Sequence, residues 1–189
     1  MVDERPRGTE RKAALVIAAY EQIAAKGLGG LRLREVANAV GIDHSTIHHH
    51  FPTKRDLVSA VVDHATRQFW NATPATGTPR EKLHAHLATL GRMIAEHPDL
   101  HVVLREIDLA ALRDPELAEA IAANERGWQA SLTSVFTDGA AEHAWPDGVD
   151  PVIAAKLVIA SVKGASLGPD HAATVLAQLD TLLSRGFSA

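Results

Sequence analysis

The segment of residues 33–54, LREVANAVGIDHSTIHHHFPTK, most constrains the fold of this chain. Apolar residues at helical spacing place a short helix at Leu33–Val40, and Gly41 ends it because glycine adopts a left-handed conformation at little cost. A second short helix is predicted over His44–His50 and ends at Phe51-Pro52, since proline disfavours helix in the residue before it. Two short helices joined by a tight turn predict a helix-turn-helix.

Helical patterns continue through the rest of the sequence. Alanine is frequent, aromatic residues make up only 4% of the chain, and no strand pattern stands out. We therefore expect an all-α fold of about nine helices. The region 138–149 is expected to be a loop or a frayed helix end. The other helices are predicted over about Glu10–Lys26, Thr53–Trp70, Thr78–His97, Asp99–Leu112, Asp114–Thr137, from Asp150 to the Gly168-Pro169 break, and Asp170–Ser184. Thr53 with Asp56 forms an imperfect capping box, and Thr78 with Glu81 forms a full one, at the starts of two of these helices.

Charge is distributed unevenly along the chain. Residues 1–55 contain nine Lys and Arg against six Asp and Glu, whereas residues 56–189 contain ten against seventeen. A basic end on an acidic body is expected when that end meets nucleic-acid phosphate, and ordinary fluctuation is the alternative. We therefore divide the chain into a helix-turn-helix DNA-binding domain, residues 1–55, and a second helical domain, residues 56–189.

Composition excludes several classes of protein. The chain has no cysteine, which excludes disulfides and thiolate zinc sites. The charged N-terminus lacks the apolar stretch of a signal peptide. No segment approaches the about 18 uninterrupted apolar residues of a membrane span. We expect a cytoplasmic protein that has no membrane association and needs no cofactor.

The N-terminal sequence, from ERKAALVIAAYEQIAAKG through LREVANAVGIDHSTIHHHFPTKRDLVSAVVDH, resembles the N-terminal domain of the TetR family of transcriptional repressors. The matching features are Lys26-Gly27, REVANAVGI, Ser45-Thr46-Ile47, His49-His50-Phe51, and Lys54 with Leu57. The resemblance implies a homodimer that binds a double-stranded DNA operator. It also implies a repressor that a small molecule releases from that operator.

Three positions depart from the family pattern. Leu31 and Arg32 stand where the family usually starts its second helix with Thr or Ser, so the N-cap hydrogen bond is expected to be lost. His48 replaces a residue that is usually aromatic, most often Tyr. Gln22-Ile23 lie where Leu or Phe is usual. These changes affect the expected DNA contacts rather than the fold.

The resemblance places the second helix of the pair in the DNA major groove, where its hydroxyl and imidazole groups can reach phosphates or base edges. Asp43 either caps this helix or accepts from a cytosine amine, and capping is favoured. Arg5, Arg7, Arg11 and Lys12 form either a DNA-contacting arm or a solvated tail. The residues predicted to contact DNA are Arg32, Asp43, His44, Ser45, Thr46, His48, His49 and Lys54.

The three consecutive histidines, His48, His49 and His50, could form a metal site or a catalytic site. Successive helical residues point about 100° apart, so neighbours cannot share one ion. His44 and His48 are correctly spaced, but the glutamate of a zincin helix is missing after His44. We predict no metal site and no catalytic site. The alternatives left open are a histidine-dependent helical metal sensor or enzyme, and a DNA-binding architectural protein without a ligand.

The last two helices are predicted to form the homodimer interface, because the first of them is apolar almost all round. A monomer with this surface in its core is the alternative. The predicted stripe on the first helix is Ile153, Leu157, Ala160, Gly164 and Leu167. The last helix supplies Val175, Leu179, Leu182 and Leu183.

The resemblance also implies a small-molecule pocket among the fifth to seventh helices and the end of the fourth. Entry of the ligand would tilt the fourth helix and change the separation of the two recognition helices. Glu106 is expected on a solvated face, and Pro98 is expected to separate His97 from His101. The residues predicted to bind ligand are Phe69, Trp70, Met93, Ile94, His97, Leu104 and Trp128, with plain core packing as the alternative.

Overall fold

The structure, a computed structural model, describes the backbone of residues 5–70 and 73–185 and the side chains of residues 8–67 and 73–185. Within these ranges the chain is all-α, as predicted, with nine α-helices and one 3₁₀ turn, Leu28–Gly30. The helices are α1 Arg5–Lys26, α2 Leu33–Val40, α3 His44–His50, α4 Lys54–Trp70, α5 Pro79–Glu96, α6 Pro98–Ala111, α7 Pro115–Ala141, α8 Pro151–Ala165 and α9 Pro169–Arg185.

The described chain divides into two compact units. The first unit contains the residues up to Thr66 together with Val102–Ala122, and the second contains Arg67–His101 together with the residues from Ala123 onward. Three helices, α4, α6 and α7, each pass from one unit into the other. The functional division at residue 55 remains a prediction.

The first unit is built around the packing of α1 on α2 and of α2 on α3. Its core also takes in apolar residues of α4, α6 and α7. Burial of a large apolar side chain, such as Leu, Ile, Val or Phe, stabilises a fold by about 1.5–3 kcal/mol. The central residues are Leu15, Ala19, Ile23, Val36, Ile47, Phe51, Leu57, Val61, Val103, Ile107 and Leu117.

The second unit is organised by α5, which packs along α9, and by α8, which packs on both. A Cβ atom at Gly91 would lie 3.0 Å from the Cα of Ala173, so glycine allows α5 and α9 to approach closely. The inward residues of α5 follow helical spacing, which is why the pattern predicts this helix well. They are Leu83, Leu87, Leu90 and Ile94.

Reciprocal capping boxes begin α4 and α5, as the sequence predicts. The backbone N–H of Thr78 donates to Glu81 Oε2 at 2.8 Å, and the N–H of Glu81 donates to Thr78 Oγ1 at 3.3 Å. The hydrogen bond from the Thr78 backbone, followed by that from its hydroxyl, lowers the pKa of Glu81. Thr53 and Asp56 form the same arrangement, at 2.8 Å and 3.1 Å.

The helix α7, predicted to end at about Thr137, continues to Ala141, so the first four residues of the region predicted as a loop or a frayed end are helical. His143 then adopts a left-handed φ of 52°, and the N–H of Ala144 donates to Gly139 O at 2.7 Å. This is the hydrogen-bond pattern of a Schellman C-cap. Trp145 folds back over Gly139 and donates from Nε1 to Phe136 O at 2.9 Å. The helix extends because a buried tryptophan completes its last turn.

Candidate DNA-binding surface

The turn between α2 and α3 has a defined geometry. Gly41 lies in the left-handed region, with φ 73° and ψ 31°. Its N–H donates to Asn38 O at 3.1 Å, and the N–H of Ile42 donates to Ala37 O at 3.0 Å, which completes a Schellman motif. Ile42 packs against the core of the first unit. The glycine and the isoleucine together hold the angle between the two helices.

Asp43 caps α3. Its Oδ1 accepts from Ser45 N at 2.8 Å and from Ser45 Oγ at 2.6 Å. These bonds lower the pKa of Asp43, and the side-chain bond from Ser45 contributes most. The structure therefore bears out the favoured capping role of Asp43. Because the Ser45 hydroxyl donates to Asp43, Ser45 presents acceptor lone pairs rather than a free proton.

The two faces of α3 differ sharply. Ile47 is fully buried, and Phe51, which follows the helix, is 3% exposed. Thr46 and His50 are half-buried at the edges. The opposite face consists of the exposed residues His44, Ser45, His48 and His49. The packing of α3 leaves this polar face to the solvent, which is the requirement for a helix that enters a groove.

His48 has two neighbours on this face. Its Nδ1 lies 3.3 Å from the carbonyl oxygen of Pro52. The ring of His44 meets it edge-on, with centroids 5.4 Å apart and an interplanar angle of 88°. Residues four apart on a helix are neighbours on its surface, so this pairing follows from the spacing.

Two cations converge on one carbonyl oxygen that precedes α2. Lys54 Nζ donates to the carbonyl oxygen of Leu31 at 3.0 Å, and Arg32 Nη1 approaches the same oxygen at 3.2 Å while donating to Gly29 O at 2.7 Å. Burial and the positive charge of Arg32 lower the pKa of Lys54. A phosphate placed between these two side chains would favour the charged form of Lys54, because its negative charge counteracts both the burial and the repulsion from Arg32. The pair is therefore a candidate phosphate-binding site.

Other cations of the N-terminal segment already have anionic partners. Lys26 pairs with Glu35 at 2.6 Å, and the hydrogen bond and the charge of Lys26 lower the pKa of Glu35. Arg55 pairs with Asp114 at 3.2 Å and with Glu116. Burial lowers the pKa of Arg55. The charges and hydrogen bonds of Asp114 and Glu116 outweigh this effect, so the pKa is raised.

The predicted N-terminal arm is described only in part. Arg11 and Lys12 are exposed on α1, and Lys12 Nζ lies 5.4 Å from the centroid of the Phe51 ring. That distance is within the range of a cation–π contact. The side chains of Arg5 and Arg7 lie outside the described residues.

The predicted ligand-binding residues have unlike environments. Met93 is half-buried on α5, whereas Ile94 and Trp128 are buried. His97 is exposed, and Leu104 on α6 is half-buried in the first unit. The Phe69 and Trp70 side chains lie outside the described residues.

His86 is a buried polar residue that the sequence reasoning missed. It is fully buried in the second unit, where Trp128 Nε1 donates to its Nε2 at 3.0 Å. Its Nδ1 lies 2.9 Å from Thr73 Oγ1. Because an indole N–H can only donate, Nε2 must accept, and the neutral ring carries its proton on Nδ1. A histidine within the apolar stripe Leu83–Ile94 was the signal available in the sequence.

Glu106 corrects another expectation. It does not lie on a fully solvated face: it is half-buried, and its Oε2 accepts from the backbone N–H of Leu28 at 2.9 Å. Gly27 precedes this contact with φ 70°, and a Cβ atom there would lie 3.0 Å from Glu106 Oε2. The carboxylate of α6 thus holds the connection between α1 and α2 within the first unit.

Pro98 begins α6 directly after His97, so the helix break predicted between His97 and His101 is confirmed. Among the described residues, no three His, Asp or Glu side chains are grouped in a way that could hold a metal ion. Within the same residues, no helix combines the length and apolar character needed to cross a bilayer.

Known proteins match both parts of the chain. Residues 15–61 match the bacterial regulatory proteins of the tetR family, and residues 79–184 match the C-terminal domain of BetI-type transcriptional repressors. A crystal structure of a TetR transcription regulator from Haloarcula marismortui covers 93% of this chain and 98% of its own, with a TM-score of 0.82 and 20% identity. That similarity concerns the fold.

Curated relatives match over part of their length. The transcriptional regulator BetI from Paraburkholderia phytofirmans is 35% identical over 83 residues, which are 41% of this chain and 43% of BetI. The regulator CymR from Pseudomonas putida is 28% identical over 120 residues, which are 61% of this chain and 58% of CymR. The match thus spans about half the length of these relatives. The helix-turn-helix geometry and the two family matches show that this chain belongs to the TetR family of bacterial regulatory proteins and has a BetI-type C-terminal domain.

Proposed function

We propose that this regulator is a homodimeric repressor that releases its operator when a small molecule binds. The observation that carries the proposal is the exposed polar face of α3, together with the Arg32–Lys54 pair. The match of residues 79–184 to a BetI-type repressor domain supports repression rather than activation. Because bacterial DNA lies in the cytoplasm, we place the action of this regulator there.

The proposed DNA contacts divide into two groups. Lys54 and Arg32 neutralise backbone phosphate and position the protein, whereas His48 and His49 on α3 face the base edges. Asp43 contributes by capping α3 rather than by reading a base. The remaining members of the proposed interface are His44, Ser45 and Thr46.

The proposed dimer interface lies on α8 and α9. One face of α8 is buried in the second unit, while Ile153, Leu157 and Leu167 are 61%, 48% and 68% exposed. Ala160 and Gly164 lie exposed on the same stripe, which allows close helix approach. On α9, Val175 is exposed, Leu179 and Leu182 are half-buried, and Leu183 is buried. The exposed apolar residues of α8 and α9 could therefore pack against the same two helices of a second copy of the chain.

The proposed ligand response uses the helices shared by the two units. A small molecule bound near Met93, Ile94 and Trp128 would displace α6 or α7, and both helices continue into the first unit. There Glu106 holds Leu28, and Asp114 holds Arg55. The ligand must bind the two states with different affinity to shift their populations. Phe69, Trp70, His97 and Leu104 complete the proposed ligand set.

DNA binding is tested by measuring affinity for a pool of duplexes at increasing salt concentration. We expect affinity to fall steeply with salt, because neutralised phosphates release counterions. The double variant His48→Ala, His49→Ala should weaken binding, while His84→Ala, which removes an exposed histidine of α5, should not. A protein that retains no duplex at low salt contradicts the proposal. A thermal-shift screen without a hit would favour the ligand-free architectural alternative.

A further inference from the structure

The Pro52 carbonyl determines where His48 carries its proton. A carbonyl oxygen has lone pairs and no hydrogen, so the Nδ1 atom 3.3 Å away must be the donor of this hydrogen bond. A neutral imidazole has a single N–H. His48 in its neutral form therefore carries its proton on Nδ1 and presents a bare Nε2 lone pair.

The carbonyl is held in place from both sides. Phe51, directly before Pro52, is buried in the core of the first unit, and its N–H donates to Ile47 O at 2.8 Å. Thr53, directly after Pro52, is tied to Asp56 in the capping box of α4. The acceptor for His48 is thus part of the fold rather than of a loose loop.

The surroundings of His48 leave its Nε2 exposed. The ionisable group facing its ring is His44 on the same helix, and the α3–α4 turn contributes the uncharged Pro52 carbonyl. From α2, which packs against α3, the inward residues are the apolar Val36 and Ala37. The exposed side chain stands on the face of α3 that is proposed to enter the major groove.

A bare Nε2 can only accept, which restricts what His48 can read. In the major groove, the donors are the N6 amino group of adenine and the N4 amino group of cytosine. Guanine O6 and N7, thymine O4 and phosphate oxygens are acceptors, so they would meet the lone pair of Nε2 unfavourably. Protonation makes Nε2 a donor and reverses this preference toward guanine or phosphate.

We propose that His48 is a specificity-determining residue whose Nε2 accepts a hydrogen bond from the exocyclic amino group of adenine or cytosine near neutral pH. Acidification converts it to a donor and exchanges the preferred base at that position. The inference rests on the proposed function, because it assumes that α3 enters the groove. It goes beyond that function by assigning one chemical group of the operator to one atom of the protein.

Selection of bound duplexes from a randomised pool tests this assignment, with the full-length protein at pH 7.5 and pH 5.5. At one position in each half-site, wild type should favour adenine or cytosine about fivefold to tenfold at pH 7.5, the size of one good hydrogen bond. At pH 5.5 the preference should vanish or pass to guanine, because a protonated imidazole donates from both ring nitrogens. Replacing a selected adenine by purine, or a selected cytosine by pyrimidin-2-one, tells the two sources of the amino group apart.

Two variants and a control complete the test. His48→Ala should lose the preference at that position at both pH values, and His48→Gln should show a preference that pH does not change. His84→Ala, which removes an exposed histidine of α5 outside the proposed interface, is the matched control and should keep the pH-dependent pattern of wild type. The assignment is overturned if wild type selects the same bases at both pH values, or if His48→Ala selects as wild type does. Failure of wild type to retain any duplex at low salt would instead refute the proposed function.

Discussion

The side-chain Oε1 of Gln22 accepts a hydrogen bond of 2.5 Å from the backbone N–H of Arg32, the residue that precedes α2. Arg32 itself forms no side-chain cap, as the sequence predicted. Gln22 Nε2 donates in turn to Glu35 Oε2 at 2.8 Å. Gln22 thus accepts from the backbone N–H that the third residue of the helix, here Glu35, would bind in a capping box.

We predict that Gln22→Leu, which restores the apolar residue usual in the family, destabilises this chain. The Arg32 N–H loses its partner, and a loss of about 1 kcal/mol is expected, the typical value of a helix cap. Urea denaturation measures the change. Adding Arg32→Thr to the leucine variant should recover part of the loss, because threonine can cap α2 itself. A leucine variant as stable as wild type would show that water serves the N–H equally well.

Glu106→Ala should loosen the connection between α1 and α2. It removes the half-buried carboxylate that accepts from Leu28 N, and hydrogen bonds to charged groups contribute about 1.5–3 kcal/mol. Glu106→Gln keeps an acceptor oxygen of the same reach and should cost less. Hydrogen exchange at the Leu28 amide measures the effect locally. Equal protection of that amide in all three proteins would contradict the assigned contact.

Trp128→Phe should leave His86 Nε2 buried without its donor. An unsatisfied buried acceptor costs about 1–3 kcal/mol, in addition to the loss of indole packing. The double variant His86→Leu, Trp128→Phe removes both partners, so it should be more stable than Trp128→Phe alone. Denaturant unfolding of the three proteins decides the point. A double variant less stable than the single one would argue against the His86–Trp128 hydrogen bond.

Acid should destabilise the first unit partly through Asp114. Its pKa is lowered, first by the hydrogen bond from the Leu117 N–H and further by Arg55. A carboxylate with a lowered folded pKa stabilises the protein above its unfolded pKa of about 3.9, and this contribution is lost as pH falls through the folded value. Asp114→Asn should therefore be less stable at pH 7 and lose less stability between pH 5 and pH 3. The urea concentration at the midpoint of unfolding, measured for both proteins between pH 5 and pH 3, tests this prediction. An equally large loss of stability in Asp114→Asn over this range would contradict it.

Leu157→Glu should convert the proposed dimer into monomers. A charge on the exposed apolar stripe of α8 would be buried against the partner without a counter-ion, which is strongly unfavourable. Leu109→Glu, an equally non-conservative change at an exposed leucine of α6, is the matched control and should remain dimeric. Light scattering at micromolar concentration distinguishes the two. A wild-type monomer, or a dimeric Leu157→Glu, would exclude this interface.

Local chemistry in the sequence predicted the helices and the capping residues well. Thr78 and Glu81, Asp43, and Gly41 each act within a few residues of their own position, so the sequence alone identifies their partners. The end of α7 was missed because its last turn depends on Trp145, whose ring returns from the following loop to cover Gly139. No helical periodicity registers such a contact.

The candidate site divides in the same way. That α3 carries an exposed row of histidines follows from its sequence, whereas the proton position on His48 depends on the Pro52 carbonyl in the structure. Likewise, Lys54 and Arg32 are evident as cations, but only the folded chain brings both to the Leu31 carbonyl.

The sequence by itself determined the helical class, the helix-turn-helix and the apolar stripe of α8, because these depend on spacing within one helix or turn. Only the tertiary structure decided that Glu106 binds Leu28 and that His86 accepts from Trp128. The physical reason is that a hydrogen bond between residues far apart in the chain requires their helices to be packed, and packing is set by the whole core at once.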